Sequence, residues 1–405
     1  MSEIKQQIEL LSGTFFEEVV AIRRHFHQNP ELSCEEFQTA EFICKKLDEY
    51  GIPYQDGVAE TGVVGLIEGK NASSGCIALR ADMDALPIRE ENDVVYKSKN
   101  AGKMHACGHD VHMACLLGAA KILNSLKDQF EGTVKLIFQP SEENYPGGAI
   151  RMINEGALKN PSPGFVIAQH VINTLDAGDV GMRSGAYMAS TDEIFITVRG
   201  KGGHAATPSQ VIDPILIASH IIVALQQIVS RNADPVMPTV LSFGRIVGDG
   251  RTNIIPDEVK IDGTVRTYSE TWRKEVHRRI ERIAVSMASG MGGTCDVRIS
   301  HGYPFLYNDP ALTDKLYMLA SEYLGAGHVK ELEQRMTAED FAYFAKETPS
   351  CMFRLGIANE EKGISSNLHT ATFDVDELSL KTGMGLLAWF AVEILGELKA
   401  QSEKK

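Results

Sequence analysis

The chain has 405 residues, of which 43% are hydrophobic and 23% charged, and its formal net charge is −14. This length exceeds what one compact core usually reaches, so it predicts two domains or one domain with a large insertion. The composition excludes a disordered or fibrous protein. The acidic balance, without a block of Lys or Arg, disfavours nucleic acid as a partner and leaves small molecules as the expected ligands.

Location is predicted from the cysteines and from the apolar segments. The seven cysteines are an odd number without C-x-x-C pairs, which predicts free thiols in a reducing compartment. The start of the chain lacks the basic flank and apolar run of a signal peptide, so we expect a cytoplasmic protein. The most apolar stretch, Asp213 to Ser230, has helical periodicity and is interrupted by polar residues, which predicts a packed helix and no membrane partner.

The first half of the chain predicts helices followed by a largely parallel sheet. Helical periodicity runs from Ile4 to about Tyr50, with a break at Gln28-Asn29-Pro30 and a restart near Cys34-Glu35-Glu36. Apolar runs then predict buried strands, with a helix from about Cys107 to Leu126 between the second and third. The runs are Gly62 to Ile67, Cys76 to Leu79, Val134 to Phe138 and Phe165 to Ala168. Runs that are apolar on both faces are typical of a sheet covered by helices on both sides.

Beyond Gly185 the pattern predicts a self-contained β-α-β-β-α-β unit, the split βαβ arrangement of ferredoxin-like domains. Its strands are expected at Glu193 to Arg199, Thr239 to Val247, Glu258 to Thr267 and Cys295 to Ser300, and its helices at about Asp213 to Arg231 and Glu270 to Met291. We therefore predict an inserted domain over residues 186–305. Hinges are expected near Arg183-Ser184-Gly185 and Tyr303-Pro304.

Residues 1–185 and 306–405 are predicted to form one α/β domain around a mixed, largely parallel sheet with helices on both faces. After residue 308 the chain returns to it with helices expected at Leu312 to Leu324, Ala338 to Ala345 and Glu377 to Leu398. The inserted domain would then be a separate α+β unit.

Residues with ligand chemistry follow several of the predicted strands. Sites in open α/β sheets gather at the carboxyl ends of the strands. Asp82 and Asp84 follow the second apolar run, and their spacing of two places both carboxylates on one side of an extended chain. An acidic strand end is also common without a function.

The segment from Met104 to His112 contains three histidines, one cysteine and one aspartate in nine residues. Such a density of thiol and imidazole ligands is typical of a divalent transition metal site, and Gly108 between Cys107 and His109 allows a close approach of the backbone. The alternative is a buried thiol with surface histidines near a helix start.

Glu142 and Glu143 follow the third apolar run. Adjacent residues of an extended segment project to different sides, so one carboxylate can bind a metal while its neighbour takes a proton from water. The alternative is an exposed acidic loop. His170 ends the fourth run and His369 lies in a polar loop; each gains meaning only if it converges with the others.

These residues resemble the aminoacylase and carboxypeptidase G family of two-metal hydrolases, within it the amidohydrolase branch with hippurate hydrolases, auxin-conjugate hydrolases and N-acetyl-diaminopimelate deacetylases. The resemblance spans nearly the whole chain. It is carried by Arg23 to Leu32, Arg80 to Pro87, His105 to Asp110, Phe138 to Glu143, Gly202 to Pro208, Asn253 to Pro256, Gly263 to Thr267, Glu339 to Phe341 and Leu368-His369. Asp82 stands where the wider family has a histidine, and Cys107 where it has a bridging carboxylate; both match the amidohydrolase branch.

The resemblance implies two divalent ions, Zn, Mn, Co or Ni, with the Cys107 thiolate between them. The implied ligands are Cys107, His109, Glu143, His170 and His369. Glu142 would be the general base, and Asp84 would support the ligands without binding a metal.

The inserted domain resembles the family's lid, which also forms its dimer contact. By this likeness His204 would hydrogen-bond the developing oxyanion in a neighbouring subunit, and Asn253 and Arg266 would hold the substrate carboxylate. A homodimer or homotetramer is implied. For His204, in a glycine-rich turn, an exposed loop residue is the alternative.

Together these features predict an amidohydrolase that removes the acyl group from N-acyl amino acids. Two other functions stay open. One is a dipeptidase or aminopeptidase of the same family, and the other is a non-catalytic metal or redox sensor that uses Cys107. Glu142 weighs against the sensor, because a storage site has no need of a base beside its metal.

Overall fold

The computed structural model describes residues 3–402, with ten α-helices and sixteen β-strands in that range. The helices are α1 (Glu3–Thr14), α2 (Phe16–Gln28), α3 (Phe37–Tyr50), α4 (His109–Ser125), α5 (Gly148–Asn154), α6 (Pro214–Leu225), α7 (Glu270–Gly290), α8 (Pro310–Leu324), α9 (Ala342–Glu347) and α10 (Ser379–Ser402). The strands are β1 (Tyr54–Val58), β2 (Gly62–Glu68), β3 (Cys76–Asp82), β4 (Thr133–Gln139), β5 (Phe165–Asp176), β6 (Val180–Met182), β7 (Gly185–Met188), β8 (Asp192–Arg199), β9 (Gly203–His204), β10 (Thr239–Val247), β11 (Ile254–Ile255), β12 (Glu258–Thr267), β13 (Thr294–His301), β14 (Leu306–Asn308), β15 (Val329–Glu331) and β16 (Ser350–Ala358).

The chain divides into two compact units. The first comprises residues 1–185, 307–333 and 340–405, and the second comprises residues 186–306 and 334–339. Gln334–Glu339, which we expected in the first domain, groups with the second unit.

The first unit is built on an eight-stranded mixed sheet in the order β1-β2-β4-β3-β5-β16-β6-β15. The central neighbours β4, β3, β5 and β16 run parallel, whereas β2 joins β4 antiparallel. Every residue of β3 and β4 is buried, because helices cover both faces of the sheet. The α/β class predicted from the apolar runs is confirmed, and the parallel strands bring their carboxyl ends to one edge.

Helix α4 crosses the centre of this unit. Its apolar side chains Val111, Leu116 and Leu117 are fully buried, and Trp389 and Phe390 of α10 belong to the same core. Burial of each such side chain stabilises the fold by about 1.5 to 3 kcal/mol. This packing fixes the start of α4, where Cys107 and His109 lie.

The second unit is a four-stranded antiparallel sheet in the order β10-β12-β8-β13, with α6 and α7 packed on it. Buried and more exposed residues alternate along β8, which is the pattern of a sheet covered on one face. This is the predicted β-α-β-β-α-β order.

Residues 214–232 are long and apolar enough to cross a membrane by length and composition alone, and no other helix of the described range is. The evidence for a span is weak, because its residues Ile217, Ile221 and Leu225 are fully buried in the core of the second unit. Packing against that core accounts for the apolar character of this segment.

Several predicted boundaries were wrong. Helix α3 begins at Phe37 and not near Cys34, and the helix expected from Ala338 begins at Ala342. The extent of the helix expected from about Asp213 to Arg231 is confirmed, since α6 runs to Leu225 and a π-helical turn over Ile228–Asn232 continues the segment. The long strand β16 was not predicted at all.

Candidate metal centre

The residues predicted as metal ligands converge, although they come from four separate segments. Two groups of three residues each bring one ligand-type atom per residue within 4.8 Å of the others. The first group is Cys107, His109 and His170, and the second is Cys107, Glu143 and His369. Cys107 belongs to both groups. This is the arrangement expected of two sites that share one sulfur.

Distances within the cluster are short. The Sγ atom of Cys107 lies 3.5 Å from Nε2 of His170 and 3.3 Å from Nε2 of His369. His369 Nε2 also lies 3.3 Å from Oε1 of Glu143. The His369 backbone has a φ of 62°, and its N–H donates to the Ala106 carbonyl at 2.8 Å, which links the last ligand to the segment that carries Cys107.

Two ring hydrogen bonds fix which histidine nitrogens face the centre. His109 Nδ1 lies 2.8 Å from the Asp84 carbonyl and His170 Nδ1 lies 2.9 Å from the Val171 carbonyl, so each of these nitrogens donates. Each Nε2 then carries a lone pair, which is how metal-binding histidines are oriented in proteins. The prediction that Gly108 allows a close approach is confirmed, since a Cβ there would lie 2.4 Å from Cγ2 of Val171.

The donor set fits divalent metal ions. In the described part of the chain, the buried atoms Nε2 of His109 and Oε1 of Glu143 make no hydrogen bond. Buried polar atoms normally have a partner, and those that lack one need an explanation. Thiolate, imidazole and carboxylate together are ligands of Zn and its neighbours.

The pKa shifts in the cluster differ from one predicted ligand to the next. Burial, with a further contribution from the Glu143 carboxylate, raises the pKa of the Cys107 thiol. The close Cys107 thiol and Glu143 carboxylate raise the pKa of His369 to about 10. Burial, with the charge of Arg354 and the neighbouring His112, instead lowers the pKa of His170, which favours its neutral, metal-binding form.

Glu142 lies beside the ligands. It is 7% exposed, and one of its carboxylate oxygens is within 4.8 Å of ligand-type atoms of His109 and Glu143. The geometric premise behind the predicted division of roles was wrong, because β4 ends at Gln139 and Ser141 is in the left-handed region, with a φ of 54°. Both glutamates therefore reach the same histidine from a bend and not from an extended strand.

Asp84 fixes the backbone of the glutamate pair. Its Oδ1 accepts the N–H of Glu142 at 3.0 Å and its Oδ2 accepts the N–H of Glu143 at 2.9 Å. Burial acts to raise the pKa of Asp84, but the bonds to His109, Ser33 and the backbone outweigh it and lower that pKa. The residue stays an ionised acceptor behind the ligands.

Asp82 and His112 are bonded to each other and lie against the predicted ligand His109, whose Nε2 is 3.7 Å from Oδ2 of Asp82. Nδ1 of His112 lies 2.5 Å from Oδ1 of Asp82, while Oδ2 of Asp82 accepts from Arg80 at 2.6 Å. His112 Nε2 accepts the N–H of Val171 at 2.9 Å, beside His170. From the sequence, His112 was noted only as one of three histidines between Met104 and His112, and no role was predicted for it.

Ser33 and Glu36 were not predicted from the sequence. Ser33 Oγ donates to Oδ2 of Asp84 at 2.6 Å, and Oε1 of Glu36 accepts the N–H of Ser141 at 2.8 Å. The only local sign of these residues was a polar segment between two helical patterns. We interpreted that segment as the start of the second helix.

The three predicted substrate residues lie in the second unit. His204 is exposed and its Nδ1 accepts the N–H of Ala206 at 3.1 Å. Asn253 is close to it in the β9–β11 ribbon, where its carbonyl accepts the N–H of Ala205 at 3.0 Å. Arg266 is on β12 and half-buried, and burial lowers its pKa.

A further cluster in the second unit, Asp192 with His277 and His301, has the geometry of a metal site but not its charge. Both oxygens of Asp192 accept hydrogen bonds from Arg273, at 2.8 and 2.5 Å. The guanidinium already neutralises the carboxylate, so we interpret this cluster as a structural ion-pair network.

Comparison with known proteins gives matches over nearly the whole chain. The profile of the Peptidase family M20/M25/M40 matches residues 78–392. An IAA-amino acid hydrolase of Arabidopsis thaliana (ILR1-like 4) is 40% identical over 96% of this chain and 89% of its own length. The N-acetyl-L-cysteine deacetylase of Bacillus subtilis is 39% identical over 91% of this chain and 86% of its own length.

Among solved structures, the YXEP protein of Bacillus subtilis, described as a dinuclear metal binding peptidase, is similar with a TM-score of 0.81 and 32% identity. The match covers 95% of this chain and 99% of that protein.

Proposed function

The chain belongs to the Peptidase family M20/M25/M40, and from this premise we propose that it is a metal-dependent amidohydrolase that deacylates N-acyl amino acids. The observation that carries the proposal is the convergence of the five predicted ligands around one sulfur, with a buried glutamate beside them. The plant and bacterial relatives, named for hydrolysis of an amino acid conjugate and of an N-acetyl amino acid, support this substrate class.

In the proposed centre, Cys107, His109, Glu143, His170 and His369 would hold two divalent ions of the Zn, Mn, Co or Ni class. Cys107 belongs to two of the ligand groups, one with His109 and His170 and one with Glu143 and His369. When bound, such ions supply Lewis acidity that polarises an amide carbonyl and lowers the pKa of water toward about 7.

Glu142 is the proposed general base. Its carboxylate takes a proton from the attacking water as the new C–O bond forms, and then delivers that proton to the leaving nitrogen as the carbonyl re-forms and the amide C–N bond breaks. Asp84 keeps the backbone of both glutamates in place during this transfer through its two hydrogen bonds. Preorganised groups of this kind need no rearrangement at the moment of reaction.

Recognition of the substrate is assigned to the second unit. Asn253 and Arg266 would bind the carboxylate of the amino acid product, and His204 would hydrogen-bond the oxyanion that forms on the acyl carbon. The exposure of His204 supports this role, because a residue that serves a neighbouring subunit must be accessible in one chain.

The second candidate is a dipeptidase or aminopeptidase with the same centre. The solved bacterial relative is described as a peptidase, which favours this alternative. The two activities use the same bond chemistry and differ only in what flanks the amide.

A hydrolysis panel tests the proposal. The purified chain is reconstituted in turn with Zn, Mn, Co and Ni and assayed with N-acetyl and N-benzoyl amino acids beside dipeptides. We expect kcat/KM to be at least tenfold higher for the N-acyl amino acids. Faster hydrolysis of dipeptides would establish the peptidase instead, and no hydrolysis of either with any ion would disprove an amidohydrolase.

We also propose that the protein acts in the cytoplasm as a homodimer or homotetramer that associates through the second unit. Exposed apolar side chains on α6 support such a contact: Ile215, Leu216 and Val223 are 40%, 51% and 73% exposed. Sedimentation is expected to give at least twice the chain mass of 44.4 kDa, and Val223→Asp to shift it toward the monomer.

A further inference from the structure

The segment Ser33–Glu36, between α2 and α3, contacts the backbone around the catalytic glutamates, although more than 100 residues separate it from Ser141 in the sequence. It lies outside the set of ligands and bases discussed above. Its hydrogen bonds reach both groups that hold the glutamate pair, Ser141 and Asp84.

Ser141 needs external support. It immediately precedes Glu142 and has a φ of 54°, a left-handed conformation that costs a residue other than glycine about 1 to 2 kcal/mol. Such a conformation persists only where the surroundings impose it. A change in the backbone of Ser141 would turn the two glutamates that follow it.

Glu36 and Cys34 supply that support. The N–H of Ser141 donates to Oε1 of Glu36 at 2.8 Å, and the N–H of Cys34 donates to Oγ of Ser141 at 2.9 Å. Glu36 is fully buried, and its second oxygen accepts from Thr61 at 2.9 Å. The carboxylate is therefore held in place on both sides.

Ser33 contacts Asp84, the other residue that holds the backbone of the glutamate pair. Its hydroxyl donates to Oδ2 of Asp84 at 2.6 Å, and the same oxygen accepts the N–H of Glu143. The serine thus limits how the Asp84 carboxylate can rotate. Asp84 and Ser141 together determine the backbone direction at Glu142 and Glu143.

We propose that Ser33 and Glu36 are positioning residues that set the orientation of Glu142 and Glu143 through Asp84 and Ser141. The proposal rests on the function proposed above for the two glutamates. A displacement of about 1 Å at a reacting group costs on the order of 100-fold in rate, and loss of an outer hydrogen bond at a metal site costs on the order of 10- to 100-fold in metal affinity or activity.

The test compares Glu36 with Glu31, a buried glutamate of the same connection. Oε2 of Glu31 accepts the backbone N–H and the hydroxyl of Thr39, at 2.8 and 2.9 Å, so it serves α3 and not Ser141. Glu36→Ala, Glu31→Ala and the two glutamine variants are compared by kcat and KM at saturating metal, by Zn affinity against a chromophoric chelator, and by thermal unfolding.

We expect Glu36→Ala to lower kcat at least 30-fold with KM changed less than threefold, and to weaken Zn binding about tenfold. Glu36→Gln keeps an oxygen acceptor for Ser141 and should restore most of both losses. Glu31→Ala should lower thermal stability by a similar amount and leave kcat and Zn affinity at wild-type values. Equal losses in the Glu31 and Glu36 variants would show a merely structural role.

Ser33→Ala removes one partly exposed hydroxyl and should leave folding unaffected, so it tests the proposal even if Glu36→Ala does not fold. We expect kcat to fall three- to tenfold, Zn affinity to weaken, and Ser33→Thr to recover both. Wild-type values in Ser33→Ala would overturn the role of Ser33. Zn affinity tests the positioning role without any measurement of catalysis. Failure of the proposed amidohydrolase activity would therefore be distinguishable from failure of the positioning role.

Discussion

At the residue scale, Asp84 connects the strand end at β3 with the strand end at β4. One carboxylate accepts the backbone N–H groups of two successive residues, Glu142 and Glu143. Ionised acceptors form stronger hydrogen bonds than neutral ones, so this contact is well suited to hold a bend. These two hydrogen bonds use the backbone of the glutamates and not their side chains.

Replacing Glu142 with Gln tests the assigned base directly. Glutamine has nearly the same shape but cannot accept a proton at neutral pH, so we expect kcat to fall about 100- to 10,000-fold. Metal content, measured by elemental analysis, should be unchanged. Full metal content with undiminished hydrolysis would contradict the mechanism; Glu60→Gln, at an exposed ion pair with Arg151, is the matched control.

Cys107, His109, Glu143 and His170 were candidate ligands because each follows an apolar run or lies in a dense cluster of ligand types, whereas His369, in a polar loop, joined the predicted set through the family resemblance. The sequence could not identify Ser33 or Glu36. Their partners, Asp84 and Ser141, are 51 and 105 positions away, and a local pattern carries no information about such contacts. Glu36 was interpreted as part of a helix start, which is where such residues usually occur.

At the element scale, Gly108 determines how α4 meets β5. It has a φ of 82°, and a Cβ at this position would lie 2.4 Å from the side chain of Val171. Cys107 and His109 flank this glycine, so the close approach of the helix start to the strand also brings two predicted ligands to the strand that carries His170.

Gly108→Ala is expected to lower the free energy of unfolding by about 2 to 3 kcal/mol, the sum of backbone strain and overpacking. Gly102→Ala is a matched control, because Gly102 has a φ of 77° but a methyl group added there would meet nothing within 4 Å. Chemical denaturation should show a smaller loss, about 1 kcal/mol, for Gly102→Ala. Equal losses would mean that the contact with Val171 contributes nothing.

The network around Asp192 joins strand β8 to helix α7 in the second unit. Burial acts to raise the pKa of Asp192, but hydrogen bonds from Arg273 and His277 outweigh it and lower the pKa below its usual value. A carboxylate with a lowered folded-state pKa adds stability that is complete above its unfolded pKa of about 3.9 and is lost as the pH falls through the folded value.

Asp192→Asn should therefore destabilise the protein by about 3 kcal/mol at pH 7, because Arg273 loses its buried partner. The difference between variant and wild type should shrink progressively below about pH 4. Thermal unfolding from pH 7 to pH 3 measures it, with Asp262→Asn, at an exposed ion pair with Arg245, as a control expected to cost less than about 1 kcal/mol. A difference that grew toward low pH would contradict the assignment.

Strand β16 shows the limit of periodicity as a signal. It is buried along its length and pairs with β5 and β6, yet Arg354 and Gly356 interrupt its apolar run. Strands of three residues, such as β6 and β15, are too short to show any period. Of the strands that were predicted, β3 has an uninterrupted apolar run from Cys76 to Leu79, and the run of β4 is interrupted only at Lys135.

At the scale of the whole molecule, the ligands tie together segments from residue 107 to residue 369. Ions that bind only the folded state stabilise it, by about 2.7 kcal/mol when their concentration is 100 times the dissociation constant. Metal content is therefore expected to affect the stability of the first unit as well as activity.

Removing metal with a chelator should abolish hydrolysis and lower the thermal midpoint, and returning a divalent ion should restore both. A Cys107→Ala/His369→Ala variant, which lacks the shared sulfur and one imidazole, should show no change of midpoint with chelator. An unchanged midpoint in the wild type would mean that these residues do not form a metal site in the folded state.

The order of the ligands along the chain has a consequence for biosynthesis. A ribosome that has completed residue 368 has produced Cys107, His109, Glu143 and His170, but not the histidine whose backbone attaches to Ala106. Until that residue emerges and the loop that bears it docks, the nascent polypeptide lacks one side of the coordinating set. Competence for catalysis is thus coupled to synthesis of the chain through His369.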